Sequence, residues 1–156
     1  MQQQDNETFA FGRNWKRYVA TVGVCELVAA EDSLRRFLYG IEPRRASLLD
    51  IGGGSGLMSA AAHTLGFVKV VSFDYDADSV EATQALRWLA SSPANLTVLR
   101  GSVLDDGFMA QLGHFDVVCS WGVLHHTGQL WAALDRTLAA VAPGGKAFVA
   151  LYNDQG

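Results

Sequence analysis

Ser47-Leu-Leu-Asp-Ile-Gly-Gly-Gly-Ser-Gly56, followed without a break by Leu57-Met-Ser-Ala-Ala-Ala-His-Thr-Leu65, decides the fold. The first five residues form a short, mostly apolar run, the pattern of a strand buried on both faces. The glycines then allow a sharp turn and a close approach of backbone to a neighbour. The residues after them are strong helix formers, and Gly66 closes that helix. Strand, glycine turn and helix in that order is the opening unit of a parallel α/β sheet.

Reading outward, the same unit recurs. Val68–Phe73 is the next apolar run, with Asp74 at its end, and 78–91 is helical by composition up to Ser92-Pro93. Leu96–Arg100 and Phe115–Ser120 read as two further strands. Gln129–Val141 reads as a helix stopped by Pro143-Gly144-Gly145, and Lys146–Leu151 as a fifth strand. On the N-terminal side, Asn14–Tyr39 is helical, with Trp15, Tyr18, Val19, Val22, Leu27, Val28, Leu34, Phe37 and Leu38 as its apolar positions and Gly23 as a break. Right-handed crossovers then give an α/β fold with a doubly wound, mostly parallel sheet of five strands in a three-layer αβα arrangement. The expected organisation is a flexible lead over 1–13, an N-terminal helical segment over 14–45 and a nucleotide-binding core over 46–156.

Composition agrees with one globular domain. Of the 156 residues, 49% are hydrophobic and 18% charged, enough to bury a core. The net charge of −4 leaves no basic face for nucleic acid, and Arg35-Arg36 and Arg44-Arg45 read as solvated pairs. Cys25 and Cys119 belong to no CxxC or Cys/His cluster. Both are expected to be buried small hydrophobes in a reducing compartment. The polar N-terminus lacks the apolar core of a signal peptide, and no run reaches membrane-spanning length. A cytoplasmic location is the expectation.

The chemistry gathers at the carboxyl ends of the strands, where open α/β sheets bind ligands. Glycines at 52, 54 and 56 depart from the Gly-x-Gly-x-x-Gly spacing of a dinucleotide turn, because position 57 is Leu. Asp50 beside the loop suits a cationic amino group and repels a pyrophosphate. Asp74 can accept from both ribose hydroxyls, a feature common to NAD-binding and S-adenosylmethionine-binding folds. The helix after the loop is expected to point free N–H groups into the same space.

Five stretches, taken in order, resemble the motifs of class I, Rossmann-like methyltransferases. Leu49-Asp-Ile-Gly-Gly-Gly-Ser-Gly56 resembles their first motif. Val71-Ser-Phe-Asp-Tyr-Asp76 is similar to their acidic second-strand motif, and Arg100-Gly-Ser-Val-Leu-Asp105 to their adenine-contacting loop. Phe115-Asp-Val-Val-Cys-Ser-Trp-Gly-Val-Leu-His-His126 resembles the fourth-strand motif, and Pro143-Gly-Gly-Lys146 the turn before the fifth strand. The similarity runs from about residue 9 to the last residue.

The resemblance implies S-adenosylmethionine as cofactor and methyl transfer to a small molecule by in-line displacement. Gly52, Gly54 and Gly56, with Gly53 in the same loop, would let the backbone approach the methionine and ribose parts. Asp50 would sit near the amino group through backbone or water. Asp74 would hold the ribose, with Tyr75 beside the adenine. Ser102 would meet the adenine edge by side chain and Val103 by backbone N–H; the family's usual acid at 102 is absent. Ser120 or Trp121 would offer a backbone carbonyl to the amino group. Such domains continue past the fifth strand with a helix and a two-strand hairpin, so the sequence reads as a C-terminally truncated core with a bare apolar edge at 146–151. Two other readings compete: an NAD(P)-binding oxidoreductase domain, and a non-catalytic S-adenosylmethionine-binding module.

The remaining residues have plainer readings. Asp105 and Asp106 read as cap or turn residues. Trp15 and Trp131 read as core or cleft-lining aromatics, and Asn14-Trp15 resembles a segment that covers the cofactor in some relatives. His125 is either a general base at the site mouth or a loop histidine bonded to backbone. With no carboxylate at ligand spacing, His125 and His126 do not read as a metal site. No catalytic side chain is singled out.

Overall fold

A computed structural model of the chain describes residues 12–87 and 94–152. Among the described residues six α-helices, α1 (Gly12–Val19), α2 (Val24–Phe37), α3 (Leu57–Thr64), α4 (Ala77–Leu86), α5 (Asp106–Leu112) and α6 (Leu130–Ala139), accompany five strands. These are β1 (Ser47–Ile51), β2 (Lys69–Asp74), β3 (Leu96–Arg100), β4 (Phe115–Trp121) and β5 (Val141–Ala150). They form one sheet in the order β3-β2-β1-β4-β5, parallel throughout. The chain reverses its winding between β1 and β4, which opens a crevice at their carboxyl ends.

The two-residue period of a strand sorts the core. Leu49, Ile51, Val71 and Phe73 face one way and join Met109, Leu124 and Ala133 of α5, α6 and the intervening loop. Leu48, Val70 and Val117 face the other way and join Leu34 of α2 and Ala62 of α3. A third cluster, Val19, Leu27, Ala60, Ala61, Ala82 and Leu86, packs α1 to α4 against one another. The result is the expected three layers. Leu48, Leu49 and Phe115 are fully buried, each contributing about 2–3 kcal/mol of apolar transfer energy.

The helix ends follow local chemistry. Gly23 breaks the N-terminal run as expected: its N–H donates to Glu26 Oε2 at 2.8 Å and α2 starts beyond it. Asp76 caps α4 by accepting from Asp78 N–H at 3.0 Å, and Asp105 caps α5 by accepting from Phe108 N–H at 3.0 Å. Asp106 pairs with Arg136 of α6 at 2.5 Å.

Several expectations need correcting. α1 begins at Gly12, not Asn14, because Gly12 is buried on the start of α4 and donates to Asp76 Oδ2 at 2.8 Å. The flexibility expected for the lead otherwise concerns residues 1–11, outside the described residues, as do 88–93 at the end of the fourth helical run. α6 stops at Ala139. β-branched Val141 pairs instead with Phe115, and a bulge then carries the strand past Pro143-Gly144-Gly145 to Lys146. Cys25 is exposed, since Leu27 and Leu34 carry the buried stripe of α2; Cys119 is buried. Val28 is exposed for the same reason, and Tyr18 stands exposed on α1, where Gly12 and Val19 are the buried positions. Trp131 is neither core nor on the wall of the cavity over the strand ends; it stands 74% exposed on α6.

Candidate functional site

A cavity of about 840 Å³ opens over the carboxyl ends of the strands. Its floor is the loop after β1, which supplies Asp50, Ile51, Gly52, Gly53 and Gly54. One side comes from the ends of β2 and β3, with Asp74, Tyr75, Asp76, Ser102 and Val103. The other comes from the β4 loop, with Trp121, Gly122, Val123 and His126, and from Tyr152 beyond β5. Trp15 of α1 also lines it.

The glycine loop is shaped by what it touches inside the protein. A Cβ on Gly52 (φ +75) would stand 2.5 Å from Val123 Cγ2, and one on Gly53 2.1 Å from Ser72 Oγ. One on Gly54 (φ +55) would meet the Trp15 indole at 3.0 Å. Glycine here lets the β4 loop, β2 and α1 close on the turn. Gly56 (φ +80) does not line the cavity; its Cβ would meet Thr83 Cα at 2.8 Å, so it sets the packing of α3 on α4. That corrects the expectation that it faces the ligand.

The loop's donors are also used internally. Gly52 and Gly53 N–H both donate to Phe73 O, at 2.8 and 3.1 Å, and Gly56 N–H to Gly53 O at 2.8 Å. Gly54 N–H donates to Asp74 Oδ2 at 3.1 Å. The N–H groups of these four glycines are therefore spent inside the fold; at the start of α3, where free groups are expected, Leu57 N–H lies 3.4 Å from Ser55 Oγ.

What the cavity does present is acceptors. Asp50 is buried, accepts from Ser59 Oγ at 2.6 Å, and has its pKa pushed up to about 6, first by burial, with Ser59 opposing and Asp74 adding repulsion. Asp74 is also raised by burial, held back by backbone N–H groups of Asp76, Gly54 and Tyr75. Its Oδ1 accepts Asp76 N–H at 2.9 Å. Burial disfavours charge at both acids, and each keeps lone pairs for a ligand.

Tyr75 and Ser102 stand together on the β2–β3 side, with Val103 buried beneath. Ser102 Oγ already accepts Leu104 N–H at 3.1 Å and retains a hydroxyl proton and a lone pair. Ser120 is not on the cavity wall. It is fully buried and donates to Ile51 O at 3.3 Å, tying β4 to β1. Trp121 does line the cavity, 55% exposed, with Phe37 behind it at 5.7 Å between centroids.

The histidines divide. His126 reaches the cavity and His125 does not. Neither His125 ring nitrogen meets a hydrogen-bond partner among the described residues, so the backbone-bonded expectation fails. Its pKa is lowered, by burial first and by His126 second. Among the described residues no His, Cys, Asp and Glu group could hold a metal, and no helix is long and apolar enough to cross a membrane.

Asp76, Ser79, Gln129 and Tyr152 also line the cavity and carried no clear sequence signal as site residues. Asp76 stood inside the second-strand motif, two residues past Asp74, and that spacing could have flagged it. Tyr152 lies two residues past the end of β5 and reaches the site beside Gly122 and His125.

Comparison with known proteins follows the same lines. Residues 25–155 match a family model described as a methyltransferase domain. A ubiquinone biosynthesis O-methyltransferase of Methylobacterium nodulans is 32% identical over 122 residues, 74% of this chain and 47% of that protein. The chain spans about half the length of the ubiquinone biosynthesis O-methyltransferases it matches. Among solved structures, an S-adenosyl-L-methionine-dependent methyltransferase of Methanococcus maripaludis shares the fold, with a TM-score of 0.71 at 18% identity over 96% of this chain and 66% of that one. One from Thiobacillus denitrificans, in complex with S-adenosyl-L-homocysteine, gives 0.60 at 17% identity over 81% and 47%. With its motifs, strand order and family match in agreement, the chain belongs to the methyltransferase domain family of class I, Rossmann-like fold.

Proposed function

We propose that the cavity binds S-adenosylmethionine and that the protein transfers its methyl group to a small-molecule acceptor. One observation carries this reading. The cavity offers two largely buried carboxylates, Asp50 and Asp74, while the glycine-loop N–H groups are consumed inside the fold. A ligand there must bring donors and positive charge. S-adenosylmethionine brings an ammonium, a sulfonium, two ribose hydroxyls and an adenine amino group. A dinucleotide brings a pyrophosphate to a loop whose glycine N–H groups are already spent, with two acids against it. The oxidoreductase reading is therefore not favoured.

The residues divide the work. Asp50 would face the ammonium and Asp74 the ribose hydroxyls. Tyr75 would lie beside the adenine, with Ser102 and Val103 at its edge. Trp121 and the glycine loop, Gly52 to Gly54, would flank the methionine part. When bound, the cofactor supplies a methyl carbon already activated by the sulfonium. The chain's own task is then to hold the acceptor in line and exclude water, which alone removes up to about 7–11 kcal/mol of barrier. Trp15 over Gly54 covers the loop from outside. The core over 46–156 with α1 and α2 as its cover is the organisation this implies. A reducing compartment such as the cytoplasm fits two cysteines that are both free thiols.

Calorimetric titration with S-adenosylmethionine, S-adenosylhomocysteine and NAD tests the reading. Micromolar binding of the first two, lost in Asp74→Ala and absent for NAD, is the expected result. Binding of NAD in preference would overturn it. Turnover with any acceptor separates an enzyme from a non-catalytic binding module.

A further inference from the structure

Beneath the glycine loop lies a layer of small polar side chains. Asp50 of β1 stands in register with Ser72 of β2 on one side and Cys119 of β4 on the other. Strand alternation turns all three to the same face of the sheet. Ser59 of α3 and Thr83 of α4 complete the layer, and all five residues are buried. Two of the three hydroxyls are committed. Ser59 Oγ donates to Asp50 Oδ2, and Thr83 Oγ1 donates to Gly54 O at 3.2 Å. The third is not. Ser72 is 1% exposed, yet its Oγ meets no hydrogen-bond partner among the described residues. It occupies the space beside Gly53 that a Cβ there would need. A buried hydroxyl without a partner is costly and calls for a reason. Asp50 has the complementary lack: only its Oδ2 accepts a hydrogen bond among the described residues, and Oδ1 accepts none.

Resting on the reading of the cavity as a methyl-donor site, we propose that Ser72 is a positioning residue for the donor's ammonium: its hydroxyl turns to Asp50 as the carboxylate ionises against that ammonium, and holds the carboxylate in place. Reach is given by the register. Neighbouring strands run about 4.8 Å apart, so same-face partners meet through a change of side-chain rotamer. The driving force is charge. Burial first, and repulsion from Asp74, hold Asp50 toward its protonated form, with Ser59 opposing. Cys119, whose thiol is pushed up by burial and by Asp50, adds no cation beside it. An arriving ammonium reverses the balance. The Asp50 O–H proton leaves to solvent, both carboxylate oxygens become acceptors, and a hydroxyl donating to an ionised oxygen makes a bond roughly twice as strong as a neutral one. Ser72 is the hydroxyl of this layer still free to make it, because Thr83 is committed to Gly54 and Ser59 already serves Oδ2. Two serines, one from α3 and one from β2, then fix the plane of the acid from which the ammonium is held.

Calorimetry on the full chain with two probes tests the assignment. S-adenosylhomocysteine carries the ammonium; 5′-methylthioadenosine keeps the adenosine and the sulfur but lacks the amino-acid end. Ser72→Ala removes a single buried oxygen. It should weaken S-adenosylhomocysteine about tenfold, the worth of one hydrogen bond to a charged group, and leave methylthioadenosine unchanged. In an Asp50→Asn background the same substitution should cost little, because the charge that takes the bond is gone. A hydroxyl that only fills the space beside Gly53 would serve both probes and both backgrounds alike. Equal losses for the two probes, an undiminished loss in Asp50→Asn, or no loss of S-adenosylhomocysteine affinity would each overturn the assignment. Where methylthioadenosine binds too weakly to compare, the Asp50→Asn background decides. Failure of the folded wild-type chain to bind S-adenosylhomocysteine overturns the donor-site reading instead, and this assignment with it.

Discussion

Asp50 on β1 and Ser59 on α3 share a 2.6 Å hydrogen bond inside the protein, with the serine fully buried and the acid nearly so. It is the only side-chain donor described on a carboxylate that burial drives toward its protonated form. The pH dependence follows in sign. Asp50 titrates near 6 in the native state, above its ordinary value of 3.8. The native state therefore holds this proton more tightly than the unfolded chain. The contribution is fully present below about pH 4 and is lost as pH rises through about 6, by about 3 kcal/mol. Urea unfolding of wild type and Asp50→Asn between pH 4 and 8 should show the asparagine variant gaining relative stability across that window. If the two run parallel, Asp50 does not titrate there.

Ligand binding should move the opposite way. An ammonium is held by the ionised acid, so affinity for S-adenosylhomocysteine should rise as pH passes about 6. Ser59→Ala removes the bond that favours the charged form and should shift that rise to higher pH. Calorimetry at several pH values reads both midpoints, and coincident midpoints would count against the bond's role.

Gly56 is held by both its backbone and its surroundings. It sits in the left-handed region, at φ +80 and ψ 4, and a Cβ there would strike Thr83 Cα at 2.8 Å. Gly56→Ala should cost the left-handed penalty of about 1–2 kcal/mol and overpacking of about 1–3 kcal/mol besides. Chemical denaturation reads the total, and a loss no larger than the left-handed penalty would mean that α4 yields freely.

Removing the Trp15 indole should expose the turn at Gly54 without opening the core, because Trp15 is only partly buried. Trp15→Ala should weaken S-adenosylhomocysteine binding about tenfold, which is 1.4 kcal/mol, mainly through faster release. Stopped-flow displacement measures this directly, and an unchanged release rate would show that α1 does not cover the ligand.

The two thiols should separate cleanly. Cys25 is exposed; Cys119 is buried, and burial and nearby Asp50 push its thiol well up. A thiol reagent should label one site per native chain, and the second only on unfolding.

The legible parts of this protein were those set by short-range pattern. The run from Ser47 to Gly56, the alternation around Leu48 and Leu49, and the acid at the end of β2 all announce themselves locally, and the structure has them in place. What the pattern did not carry was direction. Nothing local says that Gly56 faces Thr83 while Gly54 faces Trp15, since both are set by partners far along the chain. Ser120 and Trp121 are neighbours, but strand alternation sends one into the sheet and the other to the cavity. Adjacent His125 and His126 part in the same way on a tight turn. Cys25 was misjudged because average burial of cysteine outweighed the position of the stripe on α2.

The reversal of winding between β1 and β4 has a consequence for change over time. On one flank of the reversal the ends of β1 and β2 hold the acids; on the other, the ends of β4 and β5 hold Trp121, His126 and Tyr152. The flanks touch where Gly52 packs against Val123. Leu124 is fully buried, so the lining positions open to exchange on the second flank are 126–129. On the reading of the cavity as a methyl-donor site, exchanges there would alter one flank and leave the acids untouched, so long as Val123 still closes on Gly52. Such a layout lets one scaffold be respecialised by short loop exchanges.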